Sequence, residues 1–176
     1  MSNINPIDLQ QTDTQTAQTL NAVKGKIGMI PNLFATLAHA PAALNGYLSL
    51  SQALEHGHLT LRQRELVALA VSQHNACQYC VSAHSAISKG AGMSQEEINQ
   101  ARQGKAQNAT DQAIVTLTQK VIAQRGKLSN EEVSDARSVL GDAIIMEVIV
   151  NIALSVLTNY TNNVADTSID FPIVSL

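Results

Sequence analysis

Two cysteines, Cys77 and Cys80, and a histidine, His84, lie in the stretch NACQYCVSAHSA at residues 75–86, and the chain has no other cysteine. On a helix, residues three and four apart share a face, so both sulfurs and the imidazole would form one small patch. Such a patch suits thiol redox chemistry, metal binding or plain packing. In the first turn of a helix, unpaired N–H groups and the helix dipole favour a thiolate, and a neighbouring imidazolium favours it further. A second cysteine within reach can close a disulfide. Were Cys80 to attack a peroxide it would become a sulfenic acid, which Cys77, one turn away, could capture before it over-oxidises, as in a two-cysteine peroxidase or disulfide-reductase cycle. A thiol reductant must then reopen the bond.

Glu65 is the carboxylate that could join this patch. Arg62 stands one turn before it, so an ordinary surface ion pair is the plain alternative. Yet Glu65 also falls among Leu61, Ala68 and Leu69 at helical spacing, on an apolar stripe where a carboxylate is either desolvated or held by a specific partner. Along one continuous helix Cys77 would lie roughly 18 Å from it, beyond contact. A reversal at Asn75 and Ala76 changes this. Glu65 is ten residues before Asn75 and His84 nine after it, so the two come level, with Cys80 one turn nearer the bend. Carboxylate, imidazole and thiol then form the line needed to move a proton on and off sulfur.

Two other assignments compete. His74, Cys77, Cys80 and His84 contain a Cys₂His₂ set for zinc, although a reversal just after His74 would point that ring away. A purely structural patch of buried, inert cysteines is the other. His56 and His58 close a helix, where a cation suits the dipole, and His39 precedes Pro41 at another helix end; all three read as structural.

The surrounding elements read as helices throughout. Hydroxyl residues followed three positions later by Glu or Gln form capping boxes at Thr60 with Gln63, Ser94 with Glu97 and Ser129 with Glu132. Gly57, Gly90, Gly126 and Gly141 fall where helices should stop, and Pro31 and Pro41 punctuate the first third. No stretch alternates with period two between hairpin turns. The pattern predicts helices near 14–24, 32–39, 42–56, 61–74, 77–89, 94–103, 110–125, 130–140 and 142–165. The expected fold is all-α, one domain over 1–176, with an active-site half at 30–90, a cysteine-free half at 110–165 and a tail at 166–176. The entry to the 61–74 helix echoes that of the 130–140 helix at an offset of 69. At that offset Glu65, Cys77, Cys80 and His84 meet Ser134, Met146, Ile149 and Ala153, as a duplicated unit that kept the scaffold and lost the polar patch would show. Chance recurrence of helix–turn–helix grammar explains the echo equally well.

Composition narrows the partners. Of 176 residues 45% are hydrophobic and only 14% charged, which leaves surface for a partner subunit to cover. Aromatic residues are 3% with no Trp, and the net charge is −3, so neither base stacking nor phosphate attraction points to nucleic acid or an anionic membrane. The N-terminus lacks the basic start and apolar run of a secretory signal. The longest apolar stretch, AIIMEVIVNIALSVL, is broken by Glu147 and Asn151 and is short for a bilayer span. A cytoplasmic protein is expected, and in that reducing compartment a CxxC more often serves catalysis or metal binding than stapling. The apolar tail SIDFPIVSL is expected to pack on a neighbouring subunit.

Glu65, eleven residues, then Cys77-x-x-Cys80-x-x-x-His84 resembles the active-site pattern of the alkyl hydroperoxidase D-like proteins of the carboxymuconolactone decarboxylase family. MIPNLFATLAHAP, PAALNGYLSLSQAL and LTLRQRELVALAVSQHNACQYC look like its peroxidase-related branch, and the likeness runs from about Ile30 to Gly90. Beyond Gly90 only the helical outline agrees, with an Asn-rich TNYTNNVADT near the C-terminus. The resemblance implies a compact helical fold that forms dimers, trimers or hexamers. It implies reduction of a hydroperoxide by the cysteine pair in antioxidant defence, with no metal or organic cofactor. Electrons would come from a thiol or dithiol, with a lipoyl-bearing protein as donor in relatives. Cys80 would become the sulfenic acid, Cys77 the proton donor and disulfide partner, and His84 with Glu65 the proton relay. Relatives carry a histidine directly before the second cysteine, where this chain has Tyr79. A phenol titrates near about pH 10 and is no base at neutrality, which leaves it a supporting hydrogen bond. The decarboxylases of the family lack the cysteine pair, so decarboxylation is the lesser expectation. A non-enzymatic redox sensor and a zinc-stabilised helical module remain as alternatives from other classes.

Overall fold

A computed structural model describes residues 2–176. The order is a short 3₁₀ turn at Leu9–Gln11, then α1 (Thr14–Ile27), α2 (Asn32–Leu37), α3 (Pro41–Glu55), α4 (Leu61–His74), α5 (Gln78–Gly90), α6 (Gln95–Arg102), α7 (Ala109–Ala123) and α8 (Asn130–Ala165), with no strand among the described residues. All three expected capping boxes form, at the starts of α4, α6 and α8, each with its hydroxyl taking the N3 N–H and its N3 side chain returning to the cap N–H. The expected separation of 130–140 from 142–165 appears as a break inside α8. Gly141 there has φ 72° and ψ 164°, a backbone setting open essentially to glycine alone.

α4 is the helix on which the others are organised. Every residue from Glu65 to Ser72 is buried, and the helix packs against α5, α6, α7 and α8. Successive faces of α4 enter different cores. Val67 and Val71 join Ile114, Leu117, Val148 and Ile152, while Leu66, Leu69 and Ala70 join Ile98, Ala101 and Val115. The apolar stripe expected around Glu65 is therefore wider than one face, and Leu61 at its start is exposed. A third core holds Cys77, Tyr79, Cys80 and Ala83 of α5 with Leu20 of α1, Leu33, Phe34 and Leu37 of α2, and Leu44 of α3.

α8 contains a segment long and apolar enough to cross a membrane by length and composition, longer than the apolar stretch alone suggests. Its buried face is not wholly apolar, however. Asn151, Ser155, Thr158, Asn159 and Asn162 all face inward, and Asn159 donates to Ser72 Oγ of α4. The tail, expected on a neighbouring subunit, lies along its own chain. Val174 N–H donates to Ser82 Oγ, Gln78 donates to the Val174 carbonyl, and Arg102 donates to the Ser175 carbonyl. Ile169 and Phe171 close over the core that holds the cysteines.

Candidate active site

The reversal between α4 and α5 is a Schellman turn. Cys77 N–H reaches the Ser72 carbonyl at 3.0 Å and Ala76 N–H reaches the Gln73 carbonyl at 3.2 Å, with Ala76 left-handed at φ 50°. Glycine is the usual occupant of that position, so the signal for this turn is weak in the sequence. Cys77 then caps α5, its Sγ accepting the Cys80 N–H at 3.3 Å. The two sulfurs are joined as a disulfide, and both residues are buried, at 0% and 2% exposure.

The fold-back brings Glu65 level with His84. Glu65 Oε2 lies 2.8 Å from His84 Nδ1, with Glu65 at 6% exposure. Burial alone would lower the His84 pKa, but the charge of Glu65 and its hydrogen bond outweigh it, and the imidazole is raised above its ordinary 6.5. Ser88 Oγ, one turn beyond His84, donates to the same carboxylate oxygen at 3.5 Å. The alternative surface pair with Arg62 does not form. Arg62 reaches Glu97 at 2.9 Å and Asp111 at 3.4 Å instead, which leaves Glu65 to the histidine.

Tyr79 is buried, and its phenolic oxygen accepts the Leu33 N–H at 3.3 Å while its ring meets Phe171 edge-on at 5.7 Å. Burial, with the neighbouring Asp170 carboxylate, holds the phenol far above its usual range, so it carries no negative charge at neutrality. Its hydrogen bond serves α2 rather than the Glu65–His84 pair. His74 is exposed, and among the described residues no three His, Cys, Asp or Glu side chains are grouped to hold a metal ion, so the Cys₂His₂ set does not assemble. His39 bonds the Asn5 carbonyl at 2.8 Å, a structural contact.

Two contributors escaped the sequence reading. Asn162 of α8 donates from Nδ2 to Cys80 Sγ at 3.2 Å. Tyr47 of α3 packs against the cysteine core, and burial followed by the charge of Glu65 pushes its phenol up to about 12. Buried asparagines in an apolar helix were the available signal for Asn162; Tyr47 offers none that spacing would reveal.

Residues 39–119 match the model of the carboxymuconolactone decarboxylase family. A peroxidase-related protein from Ralstonia eutropha JMP134, described as an alkylhydroperoxidase AhpD core, superposes with a TM-score of 0.86 at 25% identity, over 96% of this chain and 92% of that one. A peroxidase-related protein from Silicibacter sp. TM1040 superposes at 0.82 and 19% identity, over 94% and 92%. The debrominase Bmp8, as a cysteine-to-alanine variant in complex with 2,3,4-tribromopyrrole, superposes at 0.80 and 16% identity, over 97% and 92%. No curated protein matches the sequence. The chain thus has the all-helical AhpD-like fold, and its residues 39–119 are similar to the carboxymuconolactone decarboxylase family.

Proposed function

We propose that this protein is a two-cysteine thiol peroxidase. The observation that carries the reading is the 2.8 Å contact between Glu65 and His84, set one helical turn from a buried Cys77–Cys80 pair at the start of α5. In the reduced enzyme the Cys80 thiolate attacks the terminal oxygen of a hydroperoxide. The O–O bond breaks, an S–O bond forms, and the alcohol leaves with a proton from His84 or Cys77. Cys77 then attacks the sulfenic sulfur, giving water and the disulfide. An external dithiol restores both thiols and is itself oxidised to a disulfide, so each turnover consumes one hydroperoxide and one dithiol. Glu65 keeps the imidazole protonated and oriented, the condition for giving a proton to the departing alkoxide.

The substrate is then a hydroperoxide and the reductant a thiol or dithiol, a lipoyl protein included, with several copies of the chain assembling together. Steady-state peroxide consumption with a small dithiol tests this. The wild type is expected to turn over many times and Cys80→Ser to fall to background. A single stoichiometric oxidation with no turnover would instead leave a sensor. Thiols that stay free after one equivalent of peroxide would remove the redox reading altogether.

A further inference from the structure

Asn162 meets the cysteine pair from α8. Its Nδ2 donates to Cys80 Sγ, the residue is 3% exposed, and its Oδ1 is buried with no hydrogen-bond partner among the described residues. Thr167 is in the same condition: 6% exposed, with Oγ1 unpartnered. Both line one cavity of about 450 Å³, together with Ala76, Gln78 and Tyr79 from the start of α5. Buried polar atoms are nearly always satisfied, so two residues that line one cavity, each with an orphaned buried oxygen, point to a place where an occupant supplies hydrogen bonds. The end of α8 is also tied down. Asn163 donates to the Asn75 carbonyl at 3.0 Å, and Asn75 donates to Asn159 at 3.0 Å, so the amide is fixed relative to the turn that carries the sulfurs.

We propose that Asn162 is a substrate-positioning residue: its amide N–H holds Cys80 as the thiolate, and its free carbonyl takes the O–H of a hydroperoxide entering this cavity. The inference rests on the peroxidase reading above. The two roles belong together chemically. The hydrogen on a hydroperoxide sits on its terminal oxygen, the atom the sulfur attacks, so a carbonyl that accepts that hydrogen holds the reacting oxygen beside the donor-held sulfur. An amide suits both tasks, because it offers donor and acceptor on one planar group and does not titrate.

The test uses the reduced full-length protein and two variants, Asn162→Ala and the near-isosteric Asn162→Asp, each confirmed as folded by its melting curve. Thiolate absorbance against pH reads the first role. Loss of a hydrogen bond to a charged sulfur is expected to lower the thiolate-to-thiol ratio about tenfold in Asn162→Ala, a rise of about one pH unit in the midpoint, and further in Asn162→Asp. Cys77, Tyr79, His84, Glu65, Tyr47, Asp166 and Asp170, the other titrating groups around the sulfurs and the cavity, are common to wild type and Asn162→Ala. A difference between those two therefore belongs to the amide. An unchanged midpoint in both folded variants overturns the proposal.

The second role is read by single-turnover rates at Cys80 with tert-butyl hydroperoxide and with iodoacetamide. Both reagents report the same thiolate, but only the first offers an O–H. The peroxide rate is expected to fall about tenfold more than the alkylation rate; an equal fall overturns the cavity assignment. If the wild type consumes no peroxide at all, the peroxidase reading fails, while the thiolate midpoint still decides whether Asn162 holds Cys80.

Discussion

The α4–α5 hairpin and α8 begin alike, each through a leucine-anchored capping box, and then break the usual inside–outside rule in opposite directions. In the hairpin, polar groups go inside: Glu65 is buried, with Ser72, Ser82, Ser85 and Ser88. Along α8, apolar groups go outside. Val139, Met146, Ile149, Leu157, Tyr160 and Val164 are between 38% and 67% exposed. At the offset of 69 residues, Glu65, Cys77, Cys80 and His84 correspond to Ser134, Met146, Ile149 and Ala153, all exposed. The register of the echo does not persist past the caps. The 75–77 turn maps onto 144–146, which is helical, while α8 breaks at Gly141. Both departures have a cost, and each names its compensation. A buried carboxylate needs a partner in the same chain, and Glu65 has His84. A row of exposed apolar side chains at helical spacing needs a partner outside it.

Glu65→Gln strikes the first compensation hardest. Glutamine fills the space but carries no charge to hold the proton on His84. Dithiol-driven peroxide turnover is expected to fall about a hundredfold, the scale of a lost proton relay. The same substitution carries a stability signature. A histidine whose folded pKa lies above its unfolded value contributes stability in full below the ordinary 6.5, and that contribution disappears as pH rises through the raised value. Urea midpoints of the wild type should therefore decline as pH climbs from 6.5 through the raised value, and those of Glu65→Gln should decline less. Parallel curves would mean that the contact in the fold does not bias His84.

Breaking the second compensation should leave the chemistry in place. Met146→Glu with Leu157→Glu puts two charges on the exposed face of α8, far from the core. If copies of the chain assemble through this face, sedimentation should show the mass dropping to that of one chain while the melting temperature measured on the separated monomer stays high. An unchanged mass would move the contact elsewhere and leave the exposed face unexplained.

How much of this was legible in the sequence follows from the range of each interaction. The three caps are settled within four residues, so they were readable outright. The all-helical class and the Glu65–His84 pairing followed from periodicity and from nearly equal distances, ten and nine residues, on either side of Asn75. What spacing alone hid was decided by partners far along the chain. Arg62 stood within reach of Glu65 three residues away, but Asp111, a buried carboxylate 49 residues on, shares its guanidinium with Glu97. Asn162 reaches Cys80 across 82 residues, and nothing short of the packed fold brings α8 to that sulfur. The tail's apolar residues likewise announced burial without saying against which chain: its backbone bonds to its own helices, while Ile173 and Leu176 stay exposed.

The bends of the two regions also differ, in a way that backbone substitutions measure. Gly141 sits where φ and ψ suit glycine alone, and an added Cβ would meet nothing within 4 Å, so Gly141→Ala isolates backbone strain. A loss of about 1–3 kcal/mol in unfolding free energy is expected. Indifference to the change would mean that α8 can run through without its break.

The hairpin turns through Ala76 at φ 50° instead, where a side chain already bears the left-handed penalty. Ala76→Gly removes about 1–2 kcal/mol of that strain and returns about 0.5–1 kcal/mol to the unfolded chain as backbone freedom. A net stabilisation of about 0.5 kcal/mol is the expected balance, read from denaturant midpoints of the oxidised protein. Because Ala76 immediately precedes Cys77 and lines the cavity beside it, the same variant asks whether the turn is stiff for the sake of the sulfurs. A more stable variant with slower peroxide turnover would show that the alanine holds Cys77 in place at the expense of stability. A destabilised variant would show that the turn's strain is already relieved in the fold, and that the two bends do not differ as their torsions indicate.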